Sequence, residues 1–253
     1  MRRTWFRAAL LALGLMAMAT SASAQVVHSV SFGVGYFWPR SFDSRVTGDV
    51  LVADLTQPVI PFYADLNPPP TGSLAFDIGD FHAWPLMGEW HIGFGDHVEI
   101  GVGASYQNRV VHSVYRDLID IDGSEIRQDL RLKVIPINAV VRVLGGRVGH
   151  LQPYAGGGIS AVNFKYTETG EFVDVTTPAL DTFNDQFKAS GTAFGGILLG
   201  GLRIPIKGDV YAINVEGRYL FASGNTGGID KGFLGDKIDL SGGAINFTFL
   251  IRY

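Results

Sequence analysis

The sequence predicts an all-β chain, an eight-stranded antiparallel transmembrane β-barrel with short periplasmic turns and long extracellular loops. Three observations carry that expectation. Large apolar residues alternate at period two with small or polar ones in eight separate segments. The connections between those segments are alternately short and long. Glycine (33 residues) and aromatic side chains (12%) are plentiful while only 17% of residues are charged, a balance that favours strands over a helix bundle.

The front of the chain reads differently from the rest. Arg2, Arg3 and Arg7 precede an apolar run from Ala8 to Ala19, followed by Ala22-Ser23-Ala24, the small-x-small pattern of a cleavage site. The run is too short for a helix that crosses a bilayer, which needs roughly 20 residues. Residues 1–24 are therefore expected to be a cleaved signal peptide, and 25–253 the barrel domain. The chain has no cysteine, which excludes a lipid-modified cysteine, disulfides and thiol chemistry. Without the three arginines of the leader, 17 basic residues face 24 acidic ones, a formal charge of −7 that excludes nucleic acid as a natural partner.

The eight segments lie near 27–38, 84–95, 97–108, 126–144, 150–165, 188–206, 209–222 and 238–253. The first shows the pattern: Val30, Phe32, Val34, Tyr36 and Trp38 share one face, and Ser29, Ser31, Gly33 and Gly35 the other. Gly95-Asp96, the stretch 145–149 and Lys207-Gly208 are tight hairpin connections. The stretches 39–83, 109–125, 166–187 and 223–237 are long and are expected to face outward from the cell, with both termini in the periplasm, and 109–125 reads as a continuation of the third and fourth strands around an Asp122-Gly123 turn.

A soluble barrel also alternates, and period two alone does not say which face is inside. Aromatic residues decide for the membrane: Tyr36, Phe37, Trp38, Trp84, Tyr106, Phe164, Tyr166, Tyr219 and Phe221 fall at segment ends, where membrane barrels carry their interfacial girdles. Charged residues on the opposite face would be costly in an apolar ligand cavity.

The stretches PYAGGGISA (153–161), GTAFGGILLGGLRIPI (191–206), VEGRY (215–219) and the aromatic-terminated last strand, in that order, resemble the small outer-membrane β-barrel family of the OmpA transmembrane domain, OmpX and OmpW. The resemblance spans 25–253. It implies residence in a Gram-negative outer membrane, contact with its lipid and lipopolysaccharide, and a monomer. The last strand is similar to the signal read by the barrel-assembly machinery, which implies that role for Phe247, Phe249, Ile251 and Tyr253. The chain departs from the pattern in ending on Tyr rather than Phe and in its long first loop. It carries no peptidoglycan-binding domain after the barrel, so a wall-anchoring role is not implied.

With the large residues facing lipid, the inward set is Glu89, His91, Glu99, Gln107, Asn138, Arg142, Arg203, Asn214, Glu216, Arg218, Asn246, Thr248 and Arg252. An eight-stranded barrel is just wide enough for side chains to fill it. The carboxylates and guanidiniums should therefore pair as a polar plug, Glu89, His91, Glu99, Arg142, Arg203, Glu216, Arg218 and Arg252 forming the network. Glu216 and Arg218 are expected to meet charges on the neighbouring strands, above all Arg203 and Arg252. The alternative for the same network is an ion path or gate.

Catalysis has little support: His112-Ser113 is the nearest approach to a nucleophile and base, and sequence neighbours point to opposite faces of a strand. Asp120 to Glu125 starts like a calcium loop and lacks the rest of the pattern, so a solvated turn is expected, with no metal or cofactor. The acids Asp43, Asp49, Asp54, Asp65, Asp77 and Asp80, and Glu168, Glu171, Asp174, Asp181 and Asp185, are expected as surface charge, or as bridges through divalent cations to lipopolysaccharide. The reading that results is a non-enzymatic scaffold whose loops meet the outside. A narrow channel of the OmpW type, passing small or hydrophobic solutes through a side opening near the rim, is the alternative, and a lipid-modifying enzyme comes third.

Overall fold

The computed structural model describes residues 26–207 and 210–253, so the expected signal peptide at 1–24 and the centre of the expected Lys207-Gly208 turn lie outside the described residues. In chain order the strands are β1 (Val26–Pro39), β2 (Leu86–Phe94), β3 (Val98–Ile119), β4 (Glu125–Leu144), β5 (Gln152–Val173), β6 (Thr182–Lys207), β7 (Tyr211–Phe221), β8 (Ser223–Asn225), β9 (Lys237–Asp239) and β10 (Gly242–Arg252). Eight of them close a barrel in the order β1-β10-β7-β6-β5-β4-β3-β2, while β8 and β9 pair separately. Closure joins first to last, Phe32 standing opposite Phe249 and Tyr36 opposite Ile245. Among the described residues no helix is long and apolar enough to cross a membrane.

The strands are unequal. β3 to β6 have 22, 20, 22 and 26 residues, against 14, 9, 11 and 11 for β1, β2, β7 and β10. About ten residues take a tilted strand across a hydrocarbon layer, so the four long strands continue well past the short ones. This bears out the expected continuation of the third and fourth strands through 109–125 and corrects one expected loop, 166–187. Most of 109–125 and 166–187 is strand, because ladder pairing runs on to Ile119↔Glu125 and Val173↔Thr182. The hairpin at 120–124 is a turn, Gly123 having φ +86° and donating its N–H to the Asp120 carbonyl at 2.9 Å. The Asp122 carboxylate is taken up by the Ser124 N–H at 2.9 Å.

Polarity inverts partway up the long strands. In their lower halves the outer face is apolar: Val102, Ala139 and Ile159 stand side by side, and above them Ala104, Ile137, Ala161 and Phe194. Phe194 is 81% exposed there and Ile159 71%. The next row, Tyr106, Asn163 and Thr192, is the boundary, and above it the outer face is polar. Inside, the order is reversed. Charged residues line the lower half, whereas Val111, Tyr115, Ile126, Leu130, Val134, Val162, Phe164 and Tyr166 are buried in the upper half. Phe164 and Tyr166, expected in the girdle, are therefore interior. Phe37 also points inward, against Arg218 and Asn246. Tyr36, Trp38, Trp84, Tyr106, Tyr219 and Phe221 keep their boundary places, with Tyr36 packed 4.8 Å from Trp84 and Tyr219 4.5 Å from Phe221.

The first connection, 40–85, folds into the concave side of this ridge. It carries one short helix, α1 (Val50–Leu55), and three single 3-10 turns. Val50 and Leu51 of α1, then Leu74, Phe76, Ile78 and Phe81, join Phe233, Ile238 and Leu240 of the β7–β10 connection in one apolar core against β3 to β6. Each fully buried large side chain contributes about 1.5–3 kcal/mol. The stack Tyr166–Phe233–Phe187–Phe172 runs through it, with centroid spacings of 5.8, 6.4 and 4.7 Å. This core closes the upper mouth of the barrel.

Candidate functional site: a doubly sealed lumen

Below the cap, the inward faces of β2, β3, β4, β6 and β7 bring together most of the predicted network. Arg142 is its hub. Its Nε and Nη2 donate to Glu216 Oε2 at 3.1 and 3.0 Å, its Nη1 donates to Glu89, and Glu99 lies 3.7 Å from the same nitrogen. Arg218 donates from Nη2 to Glu89 at 2.5 Å and from Nε to Glu216. Arg203 donates to Glu99 at 3.0 Å and to Asn214 Oδ1 at 3.1 Å, and Asn214 passes the chain on to Thr248 at 3.2 Å. Three carboxylates thus meet three guanidiniums, all with side chains at most 10% exposed. The cluster is neutral by composition, which is what makes so dry a set of charges tolerable.

His91 completes it. The ring places Nε2 2.7 Å from the Ser31 hydroxyl and Nδ1 3.0 Å from Glu99. Nδ1 also lies 3.2 Å from Arg142 Nη1, so the ring links Ser31 to the charge cluster. Small residues make room for these long side chains: a Cβ on Gly101 or Gly103 would run into Glu89.

The geometry corrects the expected pairing. Glu216 and Arg218 meet Arg142 and Glu89, which stand across the lumen on β4 and β2, rather than charges on adjacent strands. Arg252 stands at the lower mouth, lining with Ser29, Glu99 and Gln152 a cavity of about 440 Å³. Sequence reasoning missed Ser31 and Tyr154. The Tyr154 ring lies under both Arg142 and Arg203, at 5.8 and 5.9 Å, and its signal was a single large residue on the otherwise glycine-rich inward face of PYAGGG.

Above the network a cavity of only about 50 Å³ is bounded by Phe37, Gln107, Asn138, Ile197, Leu220 and Asn246. It has room for a few waters and no solute. The apolar core follows directly, and it holds a second set of polar residues. Asp49, Asp54 and Glu168, expected as surface acids, are 1%, 3% and 5% exposed. Asp49 pairs with Arg45 and accepts the Asp239 N–H at 2.9 Å, tying the start of α1 to β9. The Tyr166 hydroxyl lies 3.4 Å from Asp54 and also bonds Glu168. Burial, then the neighbouring Glu168 charge, holds Asp54 well above the usual carboxylate range. Burial likewise pushes Glu168 up to about 7, against the lowering effect of the Tyr166 hydrogen bond. Burial also raises Tyr115, to about 12, where its hydroxyl accepts from Gln128 at 3.0 Å.

The remaining candidates separate. His112 points outward and is 2.6 Å from Asp129, while Ser113 points inward and is 4% exposed. The outward faces of β10 carry Phe247, Phe249 and Ile251, with Phe249 packed 5.8 Å from both Phe32 and Tyr211, and Tyr253 is 6.2 Å from His28.

No protein-family model matches this chain, and no curated protein matches it. Solved structures do. The outer membrane protein OprG from Pseudomonas aeruginosa superposes with a TM-score of 0.51 at 13% identity, over 91% of this chain and 97% of that one. Neisserial surface protein A matches with a TM-score of 0.44 at 9% identity, over 90% and 97%. Ail, the attachment invasion locus protein of Yersinia pestis, matches at 0.42 and 10%, over 90% and 99%. The OprG superposition shows the fold. The chain has the fold of the small eight-stranded barrels to which that outer membrane protein belongs.

Proposed function

We propose that this chain is a non-conducting, non-enzymatic scaffold of a Gram-negative outer membrane, its barrel an anchor and its ridge and folded first loop a surface presented to the outside. The observation that carries this is the double seal. A neutral network of paired charges fills the lower lumen, and an apolar core built from α1, Phe233 and Leu130 fills the upper one. The outer face supports the membrane position, since an apolar belt ends on Tyr36, Trp84, Tyr106 and Tyr219. Two readings from the sequence fall behind. A channel for small solutes needs a continuous path, and a lipid-modifying enzyme needs a nucleophile near a base, whereas His112 and Ser113 sit on opposite faces.

Fractionation tests the location. The protein is expected in outer membranes after alkaline extraction, and to migrate faster on gels unheated than boiled. Recovery in the soluble periplasmic fraction would sink the proposal.

A further inference from the structure

Just above the apolar belt, the outer face of the ridge carries four cations in two adjoining rows. Ladder pairing sets Asn108, Lys133, Lys165 and Ser190 side by side in one row, and Val110, Arg131, Thr167 and Lys188 in the next. Lys133 and Lys165 stand directly opposite each other, an arrangement of like charges that costs stability unless an anion lies between them. No such anion comes from the chain: among the described residues no ion pair joins Arg131, Lys133, Lys165 or Lys188 to a carboxylate. The neighbouring acid, Asp129, is engaged by His112 at 2.6 Å. The patch is also local, because the whole chain is net negative.

These cations border an open groove of about 580 Å³, to which Thr167, Thr169, Asn108 and Gln186 add neutral donors. Lys133 Nζ sits 5.2 Å over the Tyr106 ring, so the boundary aromatic holds the cation at the belt's upper edge. Directly below, on the same faces, Ile137, Ile159, Phe194 and Leu198 are exposed and apolar. A ligand that satisfies both levels carries phosphate above and acyl chains below.

We propose that this face of β4 to β6 is a binding site for a phosphorylated, multiply acylated lipid of the leaflet that surrounds the ridge, the phosphates seated between Lys133, Lys165, Arg131 and Lys188. The site rests on the membrane reading given above. Free phosphate shares the headgroup chemistry but not the acyl contact, which separates the two sources.

The test uses the full chain, refolded in zwitterionic micelles, titrated with lipid A, dephosphorylated lipid A and inorganic pyrophosphate, with native mass spectrometry as the readout. Lipid A is expected to bind tightest, and the Lys133→Gln/Lys165→Gln/Lys188→Gln variant to lose about 100-fold in affinity, at roughly fivefold per cation. Its heat-modifiable gel shift should be unchanged, since all three side chains lie outside the cores. Equal lipid A binding by the folded triple variant overturns the site, as does equal binding of dephosphorylated lipid A. Pyrophosphate bound as tightly as lipid A overturns the lipid as its occupant. A wild-type chain that fractionates as soluble defeats the membrane reading; one that inserts but keeps lipid A in the triple variant defeats this proposal alone.

Discussion

Glu216→Ala removes the carboxylate at which two guanidiniums meet. Glu216 takes two hydrogen bonds from Arg142, at 3.1 and 3.0 Å, and one from Arg218. Each charge-assisted bond of this kind is worth about 1.5–3 kcal/mol, but both arginines keep Glu89 as a partner, so the losses do not simply add. What remains is one uncompensated positive charge in a lumen whose side chains are at most 10% exposed. The expected destabilisation is about 3–5 kcal/mol. Glu216→Gln keeps the volume and one acceptor and should cost about half as much. Pairing Glu216→Ala with Arg142→Met restores neutrality, so the double variant should be more stable than the two single losses imply, by on the order of 1–3 kcal/mol. Urea titration of the refolded protein in micelles, followed by the heat-modifiable band and tryptophan fluorescence, measures all four. A Glu216→Ala variant within about 0.5 kcal/mol of wild type, or a strictly additive double variant, would refute the idea that the network is a neutral, mutually dependent plug.

The buried acids over the mouth give a pH dependence of definite sign. Glu168 has a folded pKa of about 7, raised above its ordinary 4.5, so its contribution is fully present below about 4.5 and is lost as pH rises through about 7. Amide exchange in α1, corrected for intrinsic rate, should therefore be faster at pH 8 than at pH 5, and Glu168→Gln should reduce the difference to the share that Asp54 carries; slower exchange at pH 8 would reverse the argument. Gly101→Val places carbon where Glu89 and Arg142 lie, with Arg142 Nη1 2.6 Å from the new Cβ, and should cost about 1–3 kcal/mol in the same urea assay. Replacing Phe249 and Tyr253 with Asp should lower the amount of assembled protein and raise periplasmic degradation, and normal assembly would remove the role assigned to that strand.

The lower half of this barrel was legible because two signals agree there. Outward Val30, Phe32 and Val34 alternate with inward Ser29, Ser31 and Gly33, and the charges that cannot face lipid must face one another. The upper half was not, because the alternation continues while its meaning reverses. In β5 the inward positions change from Gly156, Gly158 and Ser160 to Val162, Phe164 and Tyr166 without a break in period, and the last two look like girdle residues. Only the burial of Val50, Leu51 and Phe233 from two connections explains why apolar residues face inward there. Nothing periodic marks those anchors. The acids Asp49, Asp54 and Glu168 were misplaced for the same reason, since a connection rich in Asp and Pro gives no sign that part of it is interior. The set of lumen charges could be listed from parity, but their partners could not: Glu216 reaches Arg142 across the lumen, and cross-lumen distance is fixed by closure and stagger rather than by neighbours in sequence.

The central claim is that the lumen is sealed twice, and current through single molecules tests it most directly. Purified wild-type protein inserted into planar bilayers should give no discrete openings across the range of voltages the membrane survives. Steady, reproducible unitary currents from the wild type, altered in size or ion selectivity by Glu216→Ala, would contradict the seal and make the charge network a gate.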